Sequence, residues 1–216
     1  MLISNTDIAF RLIKSFSQGY LAYRGMSHLF LTDDVKRSSA YVKICDSTGI
    51  FFIGFNIFDE IGAIVNHDGI DSHIHHIMCA MIGTINMYLL RTTDNNYLRE
   101  SMMDSFMILL ANEVVTLPFN LYSFLKLMNK QRSLKSLIIL VSLLPILKFR
   151  AVNSFNLLNK ILYGPNSEII SKYMIGIIYQ VSTSLLCTGL LVLDGMWMRW
   201  ALIRIWIVLN KGIIYK

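Results

Sequence analysis

Residues 70–90, IDSHIHHIMCAMIGTINMYLL, place His73, His75 and His76 at the mouth of a segment that then turns almost wholly apolar. Imidazole is costly in hydrocarbon, so ionisable groups at membrane depth face a bundle interior, a cavity or a partner. The preceding apolar run, residues 49–65, carries Asp59, and the following one, residues 105–125, carries Glu113. Three successive apolar segments with one ionisable site each form the pattern of a polar centre inside a helical membrane bundle.

Two kinds of chemistry suit these residues. Imidazole titrates near neutral pH, so His75 or His76 could act as general base or transient acyl acceptor, with Asp59 orienting the ring. Metal ligation is the alternative. The order His73-x-His75-His76 differs from the HxxxH and HxxHH boxes of membrane di-iron enzymes, and five histidines in the whole chain are too few for such a centre. A mononuclear site from His73, His76 and Asp59 is conceivable, because residues three apart share a helix face, but no metal is expected. The same groups could also serve only as hydrogen-bonding links between helices.

Helical periodicity gathers further polar residues around the same centre. His76, Cys79 and Asn86 fall on one face, Glu113, Thr116 and Asn120 on another, and Asn56 with Asp59 or Glu60 on a third. Asn56, Cys79, Asn86, Glu113, Thr116 and Asn120 are therefore expected to line a lipid-binding cavity between helices, where bundle ligand sites commonly form.

The elements that must position these residues are membrane helices. The chain is 54% hydrophobic and 16% charged, against about a quarter charged in soluble domains, and its mean hydropathy is +0.51. Apolar blocks occupy residues 8–31, 49–65, 73–90, 102–125, 134–149 and 169–193. This predicts an all-α polytopic bundle of about six spans of about 20 residues each, forming one domain over residues 1–216. Pro118 is expected to kink its helix. A polar connection is expected through Asn153, Asn156 and Asn159. The terminal run, residues 196–212, reads as an interface-hugging end or a continuation of the last span, with Trp197, Trp200 and Trp206 as interfacial anchors. Basic residues are dispersed at segment ends in equal numbers on the two sides, which leaves orientation open and argues against nucleic-acid binding. Cys45, Cys79 and Cys187 are too far apart for a zinc site or disulfide framework and read as buried thiols. No cleavable signal sequence is expected from the start MLISNTDIAF.

Four passages resemble the TLC-domain family, which includes the ceramide synthases. GIFFIGFNIFDEIGAI resembles the family's helix with an acidic position, here Asp59. HHIMCAMIG resembles the paired-histidine helix, with His75 and His76 as the pair. NEVVTLPFNLYSFLK resembles the Glu…Thr-x-Pro-Phe-Asn helix, matching Glu113, Thr116, Pro118, Phe119 and Asn120. LKFRAVNSFNLL and the Trp/Lys-rich terminus resemble the closing segments. The resemblance covers roughly residues 10–212.

The departures from the synthases bear on activity. Cys79 stands where they carry Thr, the HD-x-x-D element is absent from NEVVT, and Ser15-Phe16-Ser17-Gln18 stands where they have Ser-x-x-His. The chain thus resembles the non-synthase branch, which implies binding, sensing or handling of membrane lipids in the endoplasmic reticulum or a related endomembrane. Acyl transfer, with acyl-CoA as substrate rather than cofactor, and a structural role in a larger membrane assembly remain the alternatives.

Overall fold

The computed structural model describes residues 5–65, 70–164 and 167–212, and all regular structure among them is helical. The elements are α1 (Asn5–Leu29), the short α2 (Asp33–Arg37), α3 (Ser39–Val65), α4 (Ile70–Thr92) and α5 (Asn96–Ala111). A 3-10 turn (Asn112–Val115), α6 (Thr116–Leu127), α7 (Leu134–Tyr163), the short α8 (Ser167–Ser171) and α9 (Met174–Lys211) follow. Four stretches are long and apolar enough to cross a membrane: α3, α5 through α6, α7 and α9. The expectation of about six comparable spans is therefore met only in part. α1 and α4 have the length, 25 and 23 residues, but Arg11, Lys14, Arg24 and His28 in α1, and the histidines and Arg91 in α4, lower their apolar content.

Side-chain pairing fixes how the long helices run. Lys14 meets Asp59 and His28 meets Tyr41, so α1 and α3 are antiparallel. Glu60 meets His73 while Asp46 binds Arg91 through two contacts of 2.8 and 2.9 Å, so α3 and α4 are antiparallel. Asp104 with Lys160 and Asn112 with Ser154 set α5 against α7. Arg150 with Asp194, and Gln180 with the Ile161 carbonyl, set α7 against α9.

α1 shows the bundle's logic at its plainest. Leu12, Ile13, Phe16, Tyr20 and Tyr23 point outward, while Gln18 and His28 are buried. An inside-out pattern of this kind suits a lipid surround, where outward apolar groups lose nothing and polar groups need partners. The inner face comes very close to α5. A Cβ on Gly25 would run into the backbone of Leu110 and Ala111, so only glycine permits this approach.

One turn upstream of Pro118 the α-helix gives way to a 3-10 turn. Pro118 has no N–H to offer the Val114 carbonyl, and the backbone tightens into the 3-10 turn at Asn112–Val115 before resuming as α6. Two expectations are corrected. The segment holding Asn153, Asn156 and Asn159 is no connection; α7 continues through it to Tyr163, because Ser154, Leu157 and Ile161 bury one face and Asn112 donates to the Ser154 hydroxyl at 3.2 Å. Pro145 sits inside this helix without ending it. The terminal run takes the second of its two expected forms and continues α9 as one helix of 38 residues, about 57 Å long and well beyond a bilayer's hydrocarbon. Trp197 and Trp200 are also not free anchors. They pack on Phe119 and Tyr122, with ring centroids 4.7 Å (Trp197–Phe119) and 5.2 Å (Trp200–Tyr122) apart, and only Trp206 is largely exposed.

Candidate functional site

α1, α3 and α4 bring five ionisable side chains together near the face where α1 begins. The Lys14 ammonium lies 2.6 Å from Asp59. The second Asp59 oxygen lies 3.0 Å from His76 Nε2, and His76 Nδ1 lies 3.0 Å from Glu60. Glu60 in turn holds His73 at 2.8 Å. Ionised carboxylates accept and never donate, so both His76 contacts are satisfied together when both ring nitrogens carry protons. The imidazole then acts as a cationic cross-link between two acids. A general-base role would require one of those contacts to open. His75, the other member of the expected pair, lies outside the described side chains, as does the connection at residues 66–69.

A cavity of about 200 Å³ opens beside this cluster. Asn56, Asp59, His76, Glu113, Thr116 and Asn120 line it, six of the nine residues expected to form one site. Phe52, Phe55, Phe119 and Trp197 supply aromatic walls, and Lys14 and Gln18 come from α1. The amides are oriented by their neighbours. Asn56 Nδ2 donates to the Phe52 carbonyl at 2.8 Å, and Asn120 Nδ2 donates to Gln18 Oε1 at 2.8 Å. Among the described residues no hydrogen bond reaches either Oδ1, which leaves both able to accept.

Glu113 differs from the other acids. Its backbone carbonyl accepts from the Thr116 hydroxyl, but among the described residues no hydrogen bond or ion pair reaches its carboxylate. The side chain borders the cavity on one side and a smaller inner chamber of about 30 Å³ on the other. Cys79, also expected at the site, lines that inner chamber with Asn112 and Arg150. Asn86 lines neither space. It is buried on α4, with Nδ2 donating to the Ile82 carbonyl and Oδ1 unpartnered among the described residues.

Sequence patterns pointed to Asp59, His76 and Glu113 but not to their counter-charges. Lys14 read as an interruption of a weak span, yet it is the cation that holds Asp59. Arg150 read as a segment-end charge, yet it is buried in mid-helix. Its Nε lies 3.0 Å from Asp194, with side-chain exposures of 3% and 2%, and its guanidinium carbon lies 4.9 Å from the Trp197 ring centroid. The N–H does not point along that contact, so it is charge pairing rather than an aligned hydrogen bond. The available signal was the spacing Lys14–Gln18–Leu21–Gly25–His28, a face of α1 that is polar where a lipid-facing helix should be apolar.

Comparisons with family models, with curated proteins and with solved structures return no match. Among the described residues no group of three or more His, Cys, Asp or Glu side chains is placed to hold a metal ion.

Proposed function

We propose that this chain is a multi-pass membrane protein, similar to the non-synthase TLC-domain branch, that binds or handles lipid through the cavity at Glu113. The observation that carries the reading is the pairing of charges around that cavity. Lys14 is matched by Asp59, Arg150 by Asp194, and His76 sits between Asp59 and Glu60. Glu113 is left facing a space walled by rings and by the uncommitted Asn56 and Asn120 oxygens. An acceptor-rich, partly aromatic cavity beside apolar helices suits the polar end of an amphiphile. Its 200 Å³ accommodates a headgroup, whereas whole drug-sized ligands occupy about 300–1,000 Å³. The acyl chain would then lie along the apolar helix surfaces. In this reading α1 and α4 cross the bilayer with the four longer spans, their polar faces turned inward, in the endoplasmic reticulum or a related membrane.

The test is lipid uptake by purified, delipidated protein from a defined lipid mixture, read by native mass spectrometry. Wild-type protein should retain lipid, and Thr116→Phe, which fills the cavity, should retain several-fold less while unfolding at a similar temperature. Equal retention by both proteins would refute the cavity as the lipid site.

One observation favours acyl transfer as a second reading: the 3.0 Å contact between His76 and Asp59 at the cavity wall. With acyl-CoA and a long-chain amine supplied, turnover that disappears in His76→Ala would establish it. Absence of product with wild-type protein would leave lipid binding alone.

A further inference from the structure

A second polar site lies at the other end of the bundle, where α1 ends, α3 and α5 begin and α7 ends. The rise from Lys14 to His28 along α1 is about 21 Å, so the two sites are well separated along the same helix. Two adjoining cavities, of about 250 and 280 Å³, share Lys36, Arg37 and Glu100 as a common wall. Lys160 and Asp104 complete the first, and Arg99 completes the second.

Glu100 and Asp104 are already occupied, while the third acid, Asp33, lines only the first cavity. Glu100 lies 3.1 Å from Arg37 Nε. Asp104 is shared by His28 at 2.7 Å, by Lys160, and by Lys36 at 3.7 Å, a contact too long for a hydrogen bond. Arg99 spends one Nη2 proton on the Thr93 carbonyl at 2.6 Å, and its buried Nε has no partner among the described residues. The second cavity therefore faces three cations, Lys36, Arg37 and Arg99, against one carboxylate that Arg37 already holds. Its unspent donors point to a multivalent anion with several acceptor oxygens, which guanidinium and ammonium groups bind by charge-assisted hydrogen bonds.

We propose that this vestibule is a binding site for a phosphate group. Lys36 and Arg37 sit in the connection between α1 and α3, Arg99 in the first turn of α5 and Lys160 in the last turn of α7. Helix ends of this kind stand at the depth of lipid phosphates. A lipid headgroup and a free phosphate compound present the same chemistry, and the experiment separates them. The site is independent of the cavity at Glu113.

Purified, delipidated protein is offered equal amounts of phosphatidic acid and phosphatidylcholine with matched acyl chains, and retained lipid is read by native mass spectrometry. Wild-type protein should retain phosphatidic acid in preference. The Lys36→Gln/Arg99→Gln protein should lose about tenfold of that retention, whereas Lys172→Gln, an exposed lysine outside both cavities, should keep it. Should the double variant fail to fold, Lys36→Gln alone, on the connection α2, gives the same reading. Inorganic phosphate at millimolar concentration marks the source. Displacement of the phosphatidic acid identifies a free phosphate compound as sufficient ligand, and persistence identifies the lipid headgroup. Equal retention of the two lipids by wild-type protein, or undiminished preference in the variants, would overturn the proposal.

Discussion

The Lys14 ammonium and the Asp59 carboxylate meet at 2.6 Å across α1 and α3, and the aspartate side chain is 4% exposed. This contact joins the helix with the weakest apolar signature to the helix that carries the central acid. It turns a lysine of α1 toward a buried partner. Removing one partner of a buried ion pair typically costs about 3–5 kcal/mol, because the other charge is left uncompensated. Lys14 is partly accessible, so Lys14→Met should fall at or below the lower end of that range, read as a drop in unfolding temperature in detergent micelles. An unchanged unfolding temperature would mean that Asp59 rests on His76 alone.

Asp59→Asn separates linkage from function. The amide can still hydrogen-bond between helices but no longer balances Lys14 and His76, so folding should be retained with a loss of about 1–3 kcal/mol. Lipid retention should fall, because the cavity wall loses its charge. Unchanged lipid content would assign the cluster a purely structural role.

Glu113→Gln addresses the acid whose carboxylate has no hydrogen bond or ion pair among the described residues. Thermal unfolding should therefore stay within about 1 kcal/mol of wild type. Retention of lipids with a positively charged headgroup should drop several-fold, while phosphatidic acid retention is unaffected. Destabilisation without a change in lipid content would make Glu113 a structural acid.

Arg150 and Asp194 offer a clean double-mutant cycle. Arg150→Met alone should destabilise by about 3–5 kcal/mol, since it strands a buried carboxylate. Arg150→Met with Asp194→Leu should recover most of that loss, because a buried pair replaced by apolar residues is often neutral or stabilising. Additive losses in the unfolding midpoints would show that the two side chains are not coupled.

Topology follows from whether α1 and α4 cross the bilayer. With six crossings, cysteines at Lys36 and Asp94 should be labelled by an impermeant thiol reagent from one side, and a cysteine at Lys130 from the other. Labelling of Lys36→Cys and Asp94→Cys from opposite sides would show that α4 does not cross.

The sequence alone was enough for the helical class, the apolar part of α3 over residues 49–65, the span before Lys126, and six of the residues that line the cavity. All of these depend on information inside one segment: apolar length or helical spacing. The reach of α7 through Asn153 to Tyr163 was not legible, because three asparagines look like a loop until Asn112 and Ser154 are seen to meet. Partner identity was decided only by the tertiary structure. Which cation meets Asp59, that Arg150 meets Asp194 rather than Glu113, and that Lys36, Arg99 and Lys160 converge at one end all depend on the rotation and register of one helix against another. No segment carries that information by itself. It arises where close approaches such as Gly25 on Ala111 fix the helices in place.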